Sequence, residues 1–154
     1  MECNNCGKCC CDLSITEKEY ERIKRLRPDV IDKFVKTLNM YYCFGNCPLR
    51  ENEKCSIYND RPNVCRAYPL VQGLNIGEVK FKITTFCPKY RTMTKHDIKI
   101  GGVFLRLDLK EINLAKYTEP EILNLANIIN EKSKINKKDS NSQLISIEKY
   151  LEGL

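Results

Sequence analysis

A single histidine, His96, in a chain of 154 residues leaves no basis for a histidine-rich metal or catalytic centre. A Cys–His nucleophile pair would have to use that one ring. No stretch reaches the ~20 apolar residues that a membrane helix needs, so no membrane partner is expected. The first dozen residues are polar and cysteine-rich, unlike the basic-then-apolar pattern of a secretory signal, and the expected location is cytoplasmic. "GLNIGE" lacks both the G-x-G-x-x-G fingerprint and a P-loop lysine, which argues against a nucleotide cradle. Paired carboxylates that stand apart from ordinary helix surfaces are missing, as are internal repeats. Independent catalysis would therefore need a metal to carry the chemistry, and the sequence leaves open whether this chain is an enzyme.

What is abundant is cysteine. The stretch "CNNCGKCCC" puts five of the ten cysteines into nine positions. In a short secreted chain such density reads as a disulfide framework; in a reducing compartment, grouped thiols are more often metal ligands. Cys3, Cys6 and Cys9 follow a C-x2-C-x2-C ladder, the spacing that lets successive thiolates turn toward one centre in zinc knuckles and iron–sulfur loops. Side chains at adjacent positions diverge, so Cys9 and Cys10 suit two different centres, and Cys11 reads as spare. The remaining thiols are Cys43, Cys47, Cys55, Cys65 and Cys87. Cys43 and Cys47, four apart, have the spacing of a helical turn. Cys47 and Cys87 are each followed by proline, as in bacterial ferredoxin-type runs, which tilts the reading toward iron–sulfur over zinc. The formal charge of +6 counts every thiol as neutral; two four-thiolate centres would lower it to +2, so nucleic acid is not an expected partner.

Local patterns predict the elements. Thr16 and Glu19 form a capping box before Tyr20, Ile23 and Leu26 at helical spacing. After Pro28, the residues Val30, Ile31, Phe34, Val35 and Leu38 trace one face of a second helix, giving a helical hairpin over the cysteine loops. Residues 43–69 show no period and read as loops and short turns. "EVKFKITTF" alternates as a strand with "PLVQ" as its hairpin partner, and "IKIGGVFLRLDL" reads as two short strands broken at Gly101-Gly102. "TEPE" opens a helix carrying Ile122, Leu125, Ala126 and Ile129; "KSKINKKDSNS" is a polar linker, and "LISIEKYL" a last short helix.

Taken in order, "CNNCGKCC" with Gly7 and "CPLRENEKCSIYNDRPNVCRAYP" resemble the YkgJ-type cysteine-cluster family, a zinc- or iron-chelating domain with a CxxCxxCC signature. The second stretch supplies Cys47, Cys55, Ile57, Tyr58, Arg61-Pro62, Cys65-Arg66 and Tyr68-Pro69, and Cys87 matches a later lone cysteine. The resemblance spans roughly residues 1 to 90 and implies eight metal and cofactor ligands: Cys3, Cys6, Cys9, Cys10, Cys47, Cys55, Cys65 and Cys87. Eight thiols suit two four-thiolate centres, either [4Fe-4S] clusters or zinc. Cys11 and Cys43 are additional to the pattern. Arg61 and Arg66 read as offsetting thiolate charge and bonding nearby carbonyls, ahead of recognising an anionic substrate. Tyr58 and Tyr68 read as covering the centre.

The resulting expectation is an α+β, small metal-stapled domain with an N-terminal helical hairpin, short antiparallel strands and C-terminal helices. Residues 1–90 would form the cysteine-cluster region and 91–154 an extension packed on it. The expected function is a metal-centre-binding protein, iron–sulfur favoured, with a redox or accessory role and metal ions as partners. A zinc-stabilised protein-interaction module is the alternative. A third reading, implied by the family's flagellin lysine methylase relatives alone, is a component related to protein-lysine methylation.

Overall fold

The computed structural model describes residues 10–75, 78–85, 87–133 and 144–153. Cys3, Cys6 and Cys9 lie outside them, as do residues 134–142 of the polar linker.

The chain opens on strand β1 (Cys11–Thr16) and runs directly into helix α1 (Glu17–Leu26). Thr16 caps α1 as expected: its hydroxyl accepts the Glu19 N–H, and the Glu19 carboxylate accepts the Thr16 N–H at 3.1 Å. Ile23, on the inner face, is fully buried.

The helical hairpin is corrected at its second arm. Only one 3-10 turn, Ile31–Lys33, follows α1; Phe34 is extended, and strands β2 (Val35–Thr37) and β3 (Met40–Asn46) take the place of the helix. β3 lies between β1 and β2 in an antiparallel sheet of order β1-β3-β2. The apolar spacing of residues 30–38 fits a helix, yet only part of that set reaches the core: Val30 and Phe34 are buried, whereas Val35 is 57% exposed. β-Branched Val35 and Thr37 instead pair with Tyr42 and Met40 across the sheet, where side-chain packing outweighs weak local propensity. Leu38 turns the hairpin at φ +57, a conformation unfavourable for leucine, with its side chain against Met40 and Tyr42 in the core.

A short hairpin, β4 (Arg50–Glu51) with β5 (Lys54–Cys55), turns through Asn52 and Glu53, both at positive φ as a type I′ turn requires. A 3-10 turn, Tyr58–Asp60, leads to the single-turn helix α2 (Asn63–Ala67). The expected second hairpin is present: β6 (Leu70–Asn75) pairs with β7 (Glu78–Thr84) from Leu70↔Ile83 to Asn75↔Glu78. Ile83 is fully buried and Lys82 partly exposed, in keeping with alternation, although Thr84 is buried too.

The second correction concerns "IKIGGVFLRLDL". It lies inside the 18-residue helix α3 (Lys95–Ile112), not in two strands. Thr94 and Asp97 form a capping box, and Gly101, Leu105, Asp108 and Ile112 recur at helical spacing on the buried face. Gly101 is there for contact: a Cβ would meet Leu70 Cδ2 at 3.2 Å and the Ala67 carbonyl at 3.3 Å. Helix α4 (Glu119–Ser133) follows, with the expected Thr118–Glu121 capping box. The last segment divides into strand β8 (Leu144–Ser146), which pairs with β7, and helix α5 (Ile147–Glu152).

Three apolar clusters hold these elements. One joins Leu13, Ile15, Ile23, Phe34, Leu49 and Ile57; a second joins Ala67, Leu70, Ile83, Met93 and Leu105; a third joins Met40, Tyr42, Ile112 and Leu125. The fold is a mixture of helices and antiparallel strands organised by these clusters. The metal-stapled description is corrected with the hairpin, because among the described residues no three histidine, cysteine or acidic side chains converge as one metal site. Among the described residues, no helix is long and apolar enough to cross a membrane.

Candidate metal centre

Four of the eight expected ligands gather at one edge of the first apolar cluster. Cys10 immediately precedes β1, Cys47 follows β3, Cys55 ends β5, and Cys65 sits at the middle of α2. Backbone bonds set their relative positions. The Cys47 N–H donates to the Cys10 carbonyl at 2.9 Å, and the Ser56 N–H to the Leu49 carbonyl at 2.8 Å, so the strand ends and the β4–β5 hairpin are stitched together. Arg27, at the end of α1, fastens the hairpin from outside, with Nη2 2.6 Å from Glu51 Oε1 and Nη1 2.6 Å from Ser56 Oγ. Cys47, Cys55 and Cys65 all pack partly buried on the cluster of Leu13, Ile23 and Leu49.

These thiols lie within electrostatic range of one another. Burial pushes the Cys47 thiol up to about 11; the Leu49 backbone N–H bonding to it opposes this, and Cys10, Cys55 and Cys43 add to the rise. Cys65 as a residue is partly exposed, but its thiol behaves as a deeply buried group. Burial raises it well above the ordinary value, followed by Cys47, Cys55, Cys10 and Glu19. Four thiols within reach of each other's charge, in a half-buried setting, resist becoming four anions unless a cation compensates them. The donor set is therefore chemically suited to a soft, thiophilic metal. Among the described residues it does not close around a single ion.

Of the other expected ligands, Cys3, Cys6 and Cys9 lie outside the described residues. Cys87 stands at the start of the 3-10 turn Pro88–Thr92, beyond β7. Cys10, Cys43, Cys47, Cys55, Cys65 and Cys87 are not in disulfides. Cys43 is buried within β3 and borders Cys47; the two do not share a helical turn, because β3 is extended up to Asn46. His96 is exposed in the first turn of α3.

Residues 2–94 match the family model described as "CxxCxxCC: Putative zinc- or iron-chelating domain". The chain belongs to the CxxCxxCC family. The match covers more than half of the sequence and ends just before α3, and it identifies the cysteine region as a metal-chelating domain of a zinc- or iron-binding type. The chain has no match among curated proteins or solved structures.

Beside the turn that carries Cys65 is a polar network that the cysteine pattern does not announce. The second carboxylate oxygen of Glu19 accepts the Asn63 N–H at 2.6 Å, at the start of the turn that carries Cys65. Asn63 Nδ2 in turn donates to Asp108 Oδ1 at 2.8 Å. Glu19 and Asp108 are both nearly fully buried. Glu19 was visible in the sequence as a cap but not as an anchor for α2. Asp108 was hidden because its segment reads as strand, although T-x-x-D at Thr94–Asp97 was available as a helix-start signal.

The arginines of the RP and CR pairs have local partners. Arg66 donates through Nε to the Arg61 carbonyl at 3.0 Å and through Nη2 to the Asn59 carbonyl at 2.6 Å. Carbonyl bonding was the expected role of this residue. Arg61 stacks on Tyr58, 3.9 Å from the ring centroid.

Proposed function

We propose that this CxxCxxCC protein holds two thiolate metal centres, with Cys10, Cys47, Cys55 and Cys65 serving one and Cys3, Cys6 and Cys9 with Cys87 serving the other. The observation that carries this reading is the gathering of Cys10 with three thiols that are distant from it in sequence, one residue after the end of the ladder. Consecutive Cys9 and Cys10 then act as the branch between the two sets, since neighbouring side chains point apart. Iron–sulfur clusters are favoured over zinc because both Cys-Pro pairs fall within the proposed ligand set, one in each centre. A [4Fe-4S] cluster would supply one-electron chemistry, and the role is redox or accessory to a partner protein. The chain's own contribution is to hold the sulfurs, direct the Leu49 N–H at Cys47, and keep Cys65 from water.

Zinc is the alternative within the same family description, as a stabilising ion for an interaction module. Anaerobic purification followed by iron, sulfide and zinc analysis, with absorption near ~400 nm, separates the two. The expected result is brown protein with matched iron and sulfide. Colourless protein with stoichiometric zinc sinks the cluster assignment, and thiols that become countable only after reduction sink both metal readings. Cys65→Ser should lose about half of the metal, as should Cys6→Ser, whereas Cys11→Ser and Cys43→Ser should keep all of it.

A further inference from the structure

Beside Arg66 lies a cleft of about 230 Å³ between α2 and the first turns of α3. Cys65 and Arg66 are consecutive on α2, so their side chains leave the helix about 100° apart, and only Arg66 lines the cleft. Its polar end is formed by Arg61, Arg66 and His96; Ala67, Ile100 and Phe104 form an apolar wall.

The two guanidinium groups are held in place, and among the described residues they have no counter-ion. Arg61 is fixed against Tyr58, and its buried Nε has no hydrogen-bond partner among the described residues. Arg66 is fixed by two carbonyls, which engage Nε and Nη2 and leave Nη1 for another acceptor, and its guanidinium lies 5.9 Å from the Phe104 ring centroid. Among the described residues, no carboxylate lies within ion-pair distance of either arginine. Among the described residues, Asp97 is the one acid that lines the cleft; its Oδ2 accepts the Thr94 N–H at 2.8 Å and the Thr94 hydroxyl at 3.0 Å, closing the cap of α3. A positively charged cleft, preorganised and with donors unspent, is a site for an anion.

Size and lining narrow the ligand. The cleft lies below the roughly 300–1,000 Å³ of drug-sized pockets, which favours a ligand smaller than a nucleotide. Ala67, Ile100 and Phe104, which line the cleft with the arginines, would gain nothing from inorganic phosphate but would cover a hydrocarbon body. We propose that this cleft binds a small organic carboxylate with an apolar body, its carboxylate between Arg61 and Arg66 and its hydrocarbon against Ile100 and Phe104. The site is separate from the thiols and does not depend on which metal they hold.

The test titrates the full chain with benzoate, with benzyl alcohol as the uncharged counterpart and with inorganic phosphate, by calorimetry and by NMR shift mapping. Saturable benzoate binding is expected, with shifts concentrated at residues 61–67 and 96–104 and with both comparison ligands at least tenfold weaker. Arg61→Gln should weaken benzoate at least tenfold. Ile100→Glu replaces a side chain that is 41% exposed, so it should leave the fold intact by circular dichroism while abolishing benzoate binding through like charge. The proposal is overturned by no saturation up to about 10 mM benzoate, by phosphate binding as tightly as benzoate, or by unchanged affinity in folded Arg61→Gln and Ile100→Glu proteins.

Discussion

Asp108 shows how a single side chain can set the pH response of the region around α2. Burial pushes its carboxyl up to about 7, Glu19 and Glu111 add to the rise, and the Asn63 amide and Arg22 oppose it. Its Oδ2 has no hydrogen-bond partner among the described residues. The folded state therefore holds a proton that the unfolded chain releases at an ordinary carboxylate pKa near 3.8. The contribution to stability is whole below pH 3.8 and is lost as pH rises toward 7. Three units of difference correspond to on the order of 4 kcal/mol at most. Asp108→Asn removes the proton but keeps an acceptor for Asn63. Urea unfolding should show the variant more stable than wild type by ~1–3 kcal/mol at pH 8, with the difference shrinking to near zero at pH 4. Identical pH slopes in the two proteins would refute this account. The sequence makes the cysteine ladder and its Cys-Pro companions plain at this scale because thiols are rare and their spacing carries chemistry. A buried aspartate has no such mark: its chemistry comes from the residues that surround it, and these arrive from α1, α2 and α3.

At the scale of elements, Glu19 joins two functions that the sequence presents separately. One carboxylate oxygen completes the cap of α1, and the other receives the first backbone N–H of α2. Thr16→Ala removes only the cap and should cost ~1 kcal/mol. Glu19→Ala also strips a charged acceptor from a buried N–H and should cost ~2–4 kcal/mol. In chemical denaturation the two losses should combine to less than their sum, because both remove the same cap; strict additivity would mean that the carboxylate and hydroxyl act independently. Elements with their own termination signals were legible, among them the α1 and α4 capping boxes and the β6–β7 hairpin. Two segments were not. Residues 30–38 fit a helical spacing, but the pairing offered by β3 decides for strand. Residues 98–109 carry paired glycines that weaken a helix, and the close approach of Ala67 and Leu70 to Gly101 compensates for that weakness.

For the whole molecule, the question is what holds the CxxCxxCC region when its metal is gone. Where a small domain has no apolar core, metal supplies most of its folding free energy, and stripping the ion unfolds it. Here the second cluster draws Ala67, Leu70 and Ile83 from within the family's matched stretch, Met93 from its last residues, and Leu105 from α3 beyond it. Each of the larger side chains contributes roughly 1.5–3 kcal/mol by burial, and none of them depends on a thiolate. The matched stretch therefore ends inside a packing unit, since α3 covers α2 and β6, and cutting the chain after residue 94 would uncover Leu70 and Ile83.

Chelation should thus divide the molecule instead of unfolding it uniformly. Anaerobic removal of metal from the full chain is expected to lower the melting temperature and to lose amide-exchange protection around residues 47–66. There the backbone is tied chiefly by a two-residue hairpin, single turns and the proposed ligands. Protection in β6, β7 and α3 should persist, because those strands pair with each other and pack on helices whose contacts are apolar. Simultaneous loss across both regions would mean that the thiol centres sustain the entire fold. Unchanged protection at Cys47 and Cys65 after complete metal loss would mean that the gathered thiols are packing residues alone.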